Sequence, residues 1–125
     1  MVIGIGTDVI EIARIAQSID RFGDRFLDRV FTSREIAYCR RKKNAAESFA
    51  ARFAAKEAGA KALGTGISQG VSWLEMEVNR EPSGRPTLEL TGRAAQRADR
   101  LGIAGISLSL THGKDIALAV VVMED

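Results

Sequence analysis

Residues 45–63 read AAESFAARFAAKEAGAKAL, and Gly64 follows. Ala dominates the stretch and Pro is absent from it, which favours helix over strand. Gly64 supplies a natural helix end. Gly59 costs about 1 kcal/mol against Ala in a helix interior, so packing has to hold it. With about 100° per residue and Phe49 as origin, Phe53, Ala60 and Leu63 mark out an apolar stripe. Glu57 lies at about 80°, on the shoulder of that stripe, and Lys61 at about 120°. Lys56 falls inside the stripe and Arg52 on its other shoulder. A carboxylate and three cations thus crowd a face that should bury carbon. Bare buried charge costs several kcal/mol, so these groups need partners or a ligand. Two readings stand: Glu57 and Lys61 pair at i, i+4 while Lys56 snorkels along its stem, or the group forms a site.

Upstream, residues 2–10 read as a β-branched strand interrupted on one face by Gly4 and Gly6. From Ile12 the period becomes helical through Ile15 and Ile19 until Gly23 breaks it. Phe26, Leu27, Val30 and Phe31 suggest a short buried turn. Thr32 or Ser33 caps a further helix to about Arg41, with Glu35 in its first turn.

Downstream, residues 73–78 and 87–90 read as strands around a loop holding Pro82, Gly84 and Pro86. Thr91 can cap a helix over residues 92–101 that stops at Gly102. Residues 105–111 alternate apolar with Ser, while residues 116–123 are almost wholly apolar, as suits a central strand. His112, Gly113 and Lys114 would join these two as a hairpin. No repeat, linker or low-complexity tract divides the chain, so residues 1–125 form one α+β domain.

Of the 125 residues, 46% are hydrophobic and 27% charged, which excludes a disordered or collagenous chain. Cys39 is the only Cys and His112 the only His, so a multi-Cys or two-His zinc site is excluded. No apolar run reaches the roughly 18 residues of a membrane span, and Met1 opens directly into the strand with no secretion signal. A cytoplasmic protein with no membrane partner is expected.

The formal net charge of +2 hides an uneven distribution: residues 12–62 hold twelve Lys or Arg against six Asp or Glu. Such a field favours an anionic partner. Arg40, Arg41, Lys42 and Lys43 are either a solvated patch or a stripe that meets a phosphate or an acidic surface.

Asp8 ends the first strand with Glu11 three residues on. That spacing is first of all that of a helix N-terminal cap; the other reading is a carboxylate aimed at a ligand, with Gly4 and Gly6 admitting a close neighbour. The Gly4-x-Gly6 pair lacks the third Gly of a dinucleotide fingerprint, and no Walker lysine pattern occurs. Asp8 and Glu57 together suggest a hard-cation site, since Mg²⁺ is usually held by one or two carboxylates plus substrate phosphates. His112 reads as a polar turn residue or a catalyst.

Taken together, Gly6-Thr7-Asp8, Ile12-Ala13-Arg14, the run from Arg52 through Lys56-Glu57-Ala58 to Lys61, and Gly64-Thr65-Gly66 resemble holo-acyl-carrier-protein synthase. This is the short bacterial type of 4′-phosphopantetheinyl transferase. The resemblance extends to Gly84-Arg85-Pro86 and to the hairpin from Ser109 to His112; Ala51 and Gly113 depart from the usual pattern.

The resemblance implies a transferase-like α+β fold, a small antiparallel or mixed sheet against a long helix. It implies a homotrimer with active sites between subunits. It also implies transfer of phosphopantetheine from coenzyme A to a serine of apo acyl carrier protein, in fatty acid biosynthesis. Asp8 and Glu57 would hold Mg²⁺, and Glu57 or a water it orients would take the serine proton. Lys61 would neutralise phosphate charge. Gly64, Arg85 and Pro86 would border the nucleotide, Arg52 its 3′-phosphate, and His112 a phosphate or the metal's water. Arg14, Arg21 and Arg25 would dock the acidic carrier. The competing reading is a non-enzymatic nucleic-acid-binding module that uses Arg40 to Lys43. Few aromatics interleave with that run, and it leaves Glu57 unexplained.

Overall fold

A computed structural model describes residues 1–67 and 69–125. Strand β1 (Val2–Glu11) leads into helices α1 (Ile12–Phe22), α2 (Asp24–Val30), α3 (Ser33–Arg40) and α4 (Ala45–Ala62). Strands β2 (Met76–Arg80) and β3 (Pro86–Leu90), helix α5 (Gly92–Leu101) and strands β4 (Gly105–His112) and β5 (Ile116–Glu124) follow. The strands divide into two antiparallel sheets, β1-β5-β4 and β2-β3, with the apolar β5 in the centre of the larger one.

Helix α4 is the axis of the molecule. The one-sided stripe expected from its sequence is replaced by burial around most of its circumference, from Phe49 to Ala62. Small residues are the reason. Ala54, Ala55 and Ala58 are fully buried, so other elements can close on the helix from several sides. The sheet comes closest. A Cβ on Gly4 would stand 2.1 Å from the carbonyl oxygen of Ala62, and one on Gly6 only 1.8 Å from that of Ala58. The close neighbour that these glycines admit is therefore the backbone of α4.

Lys56 is fully buried and does not snorkel. Its Nζ lies 2.6 Å from Oε1 of Glu35 and donates to the carbonyls of Val30 at 2.7 Å and Trp73 at 3.1 Å. The second oxygen of Glu35 accepts from the backbone N–H of Val78 at 2.8 Å. Burial holds the Lys56 pKa down, and Glu35 partly restores it. This pair ties α3, α4 and β2 together. Removing one partner would strand a charge in the core at a cost of about 3–5 kcal/mol.

Three local expectations are corrected. The buried turn around Phe26 is the seven-residue helix α2, where Phe26 meets Phe31, the residue just past the helix end, edge to face at 6.1 Å. Residues 73–75 form a 3₁₀ turn, because the Glu75 carboxylate accepts from the backbone N–H of Ser72 at 2.8 Å; extended structure begins at Met76. The Thr91 side chain does not cap α5; the Glu75 carboxylate meets the helix start instead, accepting from the backbone N–H of Arg93. Thr32 does cap α3, in a reciprocal box with Glu35.

Candidate active site

Gly4, Gly6 and Asp8 alternate onto one face of β1, the face that the two glycines press against α4. That alternation delivers Asp8 to the helix beside Glu57 and Lys61. Of the two readings of Asp8, the cap falls away: β1 runs on to Glu11, and α1 starts at Ile12 without a side-chain cap. Lys61 donates from Nζ to Oδ1 of Asp8 at 3.2 Å and to the carbonyl of Thr7 at 3.0 Å. It does not form the i, i+4 pair with Glu57.

Glu57 is left half-buried and without an ion pair among the described residues. Its pKa is raised first by burial and then by the charge of Asp8, with Lys61 pulling the other way. Two neighbouring carboxylates, one of which raises the pKa of the other, with a single lysine bonded to Asp8, form a donor set short of positive charge. That chemistry fits a hard divalent cation.

The other expected residues lie apart, and no hydrogen bond joins Arg52, Arg85 or His112 to the Asp8 cluster among the described residues. Gly64 sits just past the end of α4 with a φ of 80°. Arg85 is exposed at the tip of the β2–β3 hairpin, and Pro86 opens β3. Arg52 is buried roughly 140° around α4 from Glu57. Its guanidinium lies 4.2 Å from the centre of the Tyr38 ring, and its Nε has no hydrogen-bond partner. Arg52 borders a cavity of about 240 Å³ lined also by Arg34, Tyr38, Arg41, Asn79 and Arg80. Arg14, Arg21 and Arg25 are exposed, the first two on α1 and the third on α2.

His112 ends β4 with Nδ1 2.9 Å from Oε1 of Glu47. Sequence reasoning passed over Glu47 as a contact, and no local pattern marks it, because the two residues meet only through the tertiary fold. It also missed Glu35 as the partner of Lys56; the one available signal was the placement of a lysine inside an apolar stripe. In the basic run, Arg40 pairs with Asp24 at 2.7 Å and Lys42 lies 4.6 Å from the centre of the Tyr38 ring.

Strand and helix thus bring two carboxylates and a lysine together on an α+β scaffold, a set whose chemistry suits a divalent cation and a phosphate. Residues 4–121 match the family profile described as the 4′-phosphopantetheinyl transferase superfamily. A holo-[acyl-carrier-protein] synthase of Koribacter versatilis is 56% identical over 125 residues, covering all of both chains. The crystal structure of the holo-[acyl-carrier-protein] synthase of Neisseria meningitidis superposes with a TM-score of 0.91 at 36% identity, covering all of both chains. That of the Helicobacter pylori enzyme in complex with coenzyme A gives a TM-score of 0.85 at 36% identity, covering 96% of this chain and 99% of that one. The chain belongs to the holo-[acyl-carrier-protein] synthase family within the 4′-phosphopantetheinyl transferase superfamily. Family membership displaces the nucleic-acid-binding reading of Arg40 to Lys43.

Proposed function

We propose that this chain transfers the 4′-phosphopantetheine arm of coenzyme A to a serine of an apo acyl carrier protein. The serine oxygen forms a bond to the phosphorus that bears the pantetheine arm. The bond from that phosphorus to the bridging pyrophosphate oxygen breaks, and adenosine 3′,5′-bisphosphate leaves with the electron pair. The observation that carries the reading is the convergence of Asp8, Glu57 and Lys61 where β1 crosses α4.

Asp8 and Glu57 would hold Mg²⁺, which when bound supplies charge neutralisation on the pyrophosphate. Glu57 has its pKa raised by burial and by Asp8, toward the range of a useful base, and it takes the serine proton. Lys61, held by Asp8 and the Thr7 carbonyl, presents a positive charge to the phosphates.

The nucleotide lies along Gly64, Arg85 and Pro86, with His112 contacting phosphate. Arg52 lines an arginine-rich cavity and its buried Nε has no hydrogen-bond partner, which supports placing the 3′-phosphate beside it. Arg14, Arg21 and Arg25 dock the acidic carrier. A homotrimer with shared sites is supported by the outer side of the sheet, where Ile5, Val9 and Ile116 are 62%, 54% and 44% exposed in the single chain. The reaction is placed in the cytoplasm, which suits a chain with one Cys; burial pushes the Cys39 thiol up to about 11.

Incubation of the protein with coenzyme A, Mg²⁺ and an apo carrier should add the phosphopantetheine mass to the carrier. EDTA should abolish the transfer, and Asp8→Ala should lower kcat by roughly 10²- to 10³-fold. Oligonucleotide binding with no transfer would overturn the assignment.

A further inference from the structure

The imidazole of His112 is not free to choose its orientation. Its Nδ1 is 2.9 Å from Oε1 of Glu47, in the first turn of α4. The other oxygen of that carboxylate accepts from Nδ2 of Asn44 at 3.2 Å. Asn44 in turn caps the helix, its Oδ1 accepting from the backbone N–H of Glu47 at 3.3 Å. The carboxylate is thus engaged at both oxygens and the ring at one nitrogen. An ionised carboxylate only accepts, so a hydrogen bond across this contact requires the proton on Nδ1. Among the described residues nothing hydrogen-bonds Nε2.

Strand register shows which way the ring faces. His112 stands opposite Ala117 and therefore shares a sheet face with Leu110, Ala119 and Asp8. That face is the one turned to α4. Two strand spacings and two residues separate the Cα atoms of His112 and Asp8, about 12 Å.

We propose that Glu47 is a positioning residue for His112. It fixes the ring as the Nδ1–H form and keeps Nε2 turned away from α4's first turn, toward a phosphate of the bound nucleotide. A phosphate oxygen only accepts, so its contact with Nε2 requires a second ring proton beside the one on Nδ1. The imidazole is then a rigid bridge between two anions. This inference rests on His112 being a phosphate contact, as assigned above, and adds the residue that makes the contact geometrically definite.

Kinetics and spectroscopy test it separately. Glu47→Ala should raise the KM for coenzyme A about 5-fold with kcat within about 2-fold of native, and the same change should have no further effect in the His112→Ala background. An equal rise in that background, or no rise where His112→Ala alone raises KM, would overturn the positioning role. If His112→Ala leaves the KM for coenzyme A unchanged, the phosphate assignment fails first, and the inference with it.

Because His112 is the only His, the imidazole ¹⁵N spectrum contains a single ring. With the ring neutral, the native protein should show the proton on Nδ1. Glu47→Gln, whose amide oxygen can still accept, should keep it there, and Glu47→Ala should shift the ring toward the Nε2–H form. A native spectrum of the Nε2–H form would refute the proposal without reference to ligand binding.

Discussion

Glu57 is a carboxylate kept where its charge is disfavoured. Burial raises its pKa and Asp8 raises it further, so the folded chain binds this proton more tightly than the unfolded chain does. Between the ordinary carboxylate value and the raised one, the native state holds more protons, and stability falls as pH rises through that window. Glu57→Gln removes the penalty. Its Tm should exceed that of the native protein at neutral pH, the gap should close on acidification through the Glu57 pKa, and transfer activity should be lost. Thermal scans across pH check this, and a Tm lowered at neutral pH would contradict it. Such a trade of stability for function is expected where a site concentrates like charge. Lys56, one residue earlier, has the opposite fate: its charge is enclosed and fully partnered, and it serves the core.

At the level of elements, the site is a product of how closely β1 approaches α4. The strand contributes Asp8 only because Gly6, two residues before it, lies against the backbone of Ala58. Gly6→Ala would place a methyl group 1.8 Å from the Ala58 carbonyl oxygen, which the helix backbone cannot yield to without moving. The strand would lift, at a cost of about 2–3 kcal/mol, and Asp8 would lose its alignment with Lys61 and Glu57. Activity should fall at least about 10²-fold, more than the fraction folded at the assay temperature. Denaturant unfolding measured beside single-turnover transfer separates the two effects; activity that merely tracked the folded fraction would count against this account. The Ala-rich composition of α4 has the same purpose, since Ala54, Ala55 and Ala58 let the sheet close on the helix.

The whole molecule carries an electrostatic asymmetry, with its basic excess concentrated between residues 12 and 62. Arg14, Arg21 and Arg25 all reach solvent from the paired helices α1 and α2. Near Arg25, a cavity of about 290 Å³ is lined by Phe22, Arg25, Phe26 and Arg29, mixing cations with aromatic surface. An acidic carrier approaching this side would be steered before it is bound. Arg14→Ala should lower kcat/KM for the carrier roughly 10-fold at low salt and flatten its salt dependence, while the KM for coenzyme A stays at the native value. Carrier kinetics over a salt series decide the matter, and an unchanged salt slope would sink the docking surface.

Most elements could be read from the chain alone, since each is set by local chemistry. Ala content and Gly64 mark α4, the apolar run marks β5 as central, and the Thr32–Glu35 box starts α3. The residue types of the site were also apparent: two acids and a lysine at these positions, in this combination, pointed to a hard cation and a phosphate ligand. What the sequence could not settle was which charged groups meet. Helical spacing offered Lys61 to Glu57, but the fold hands it to Asp8, because β1 crosses the helix at that turn. Lys56 found Glu35 and His112 found Glu47 for the same reason. Local patterning depends on neighbours a few residues away, whereas charge pairing depends on distances of a few ångströms between residues 21 to 65 positions apart along the chain. Only packing of the strand against the helix decided those.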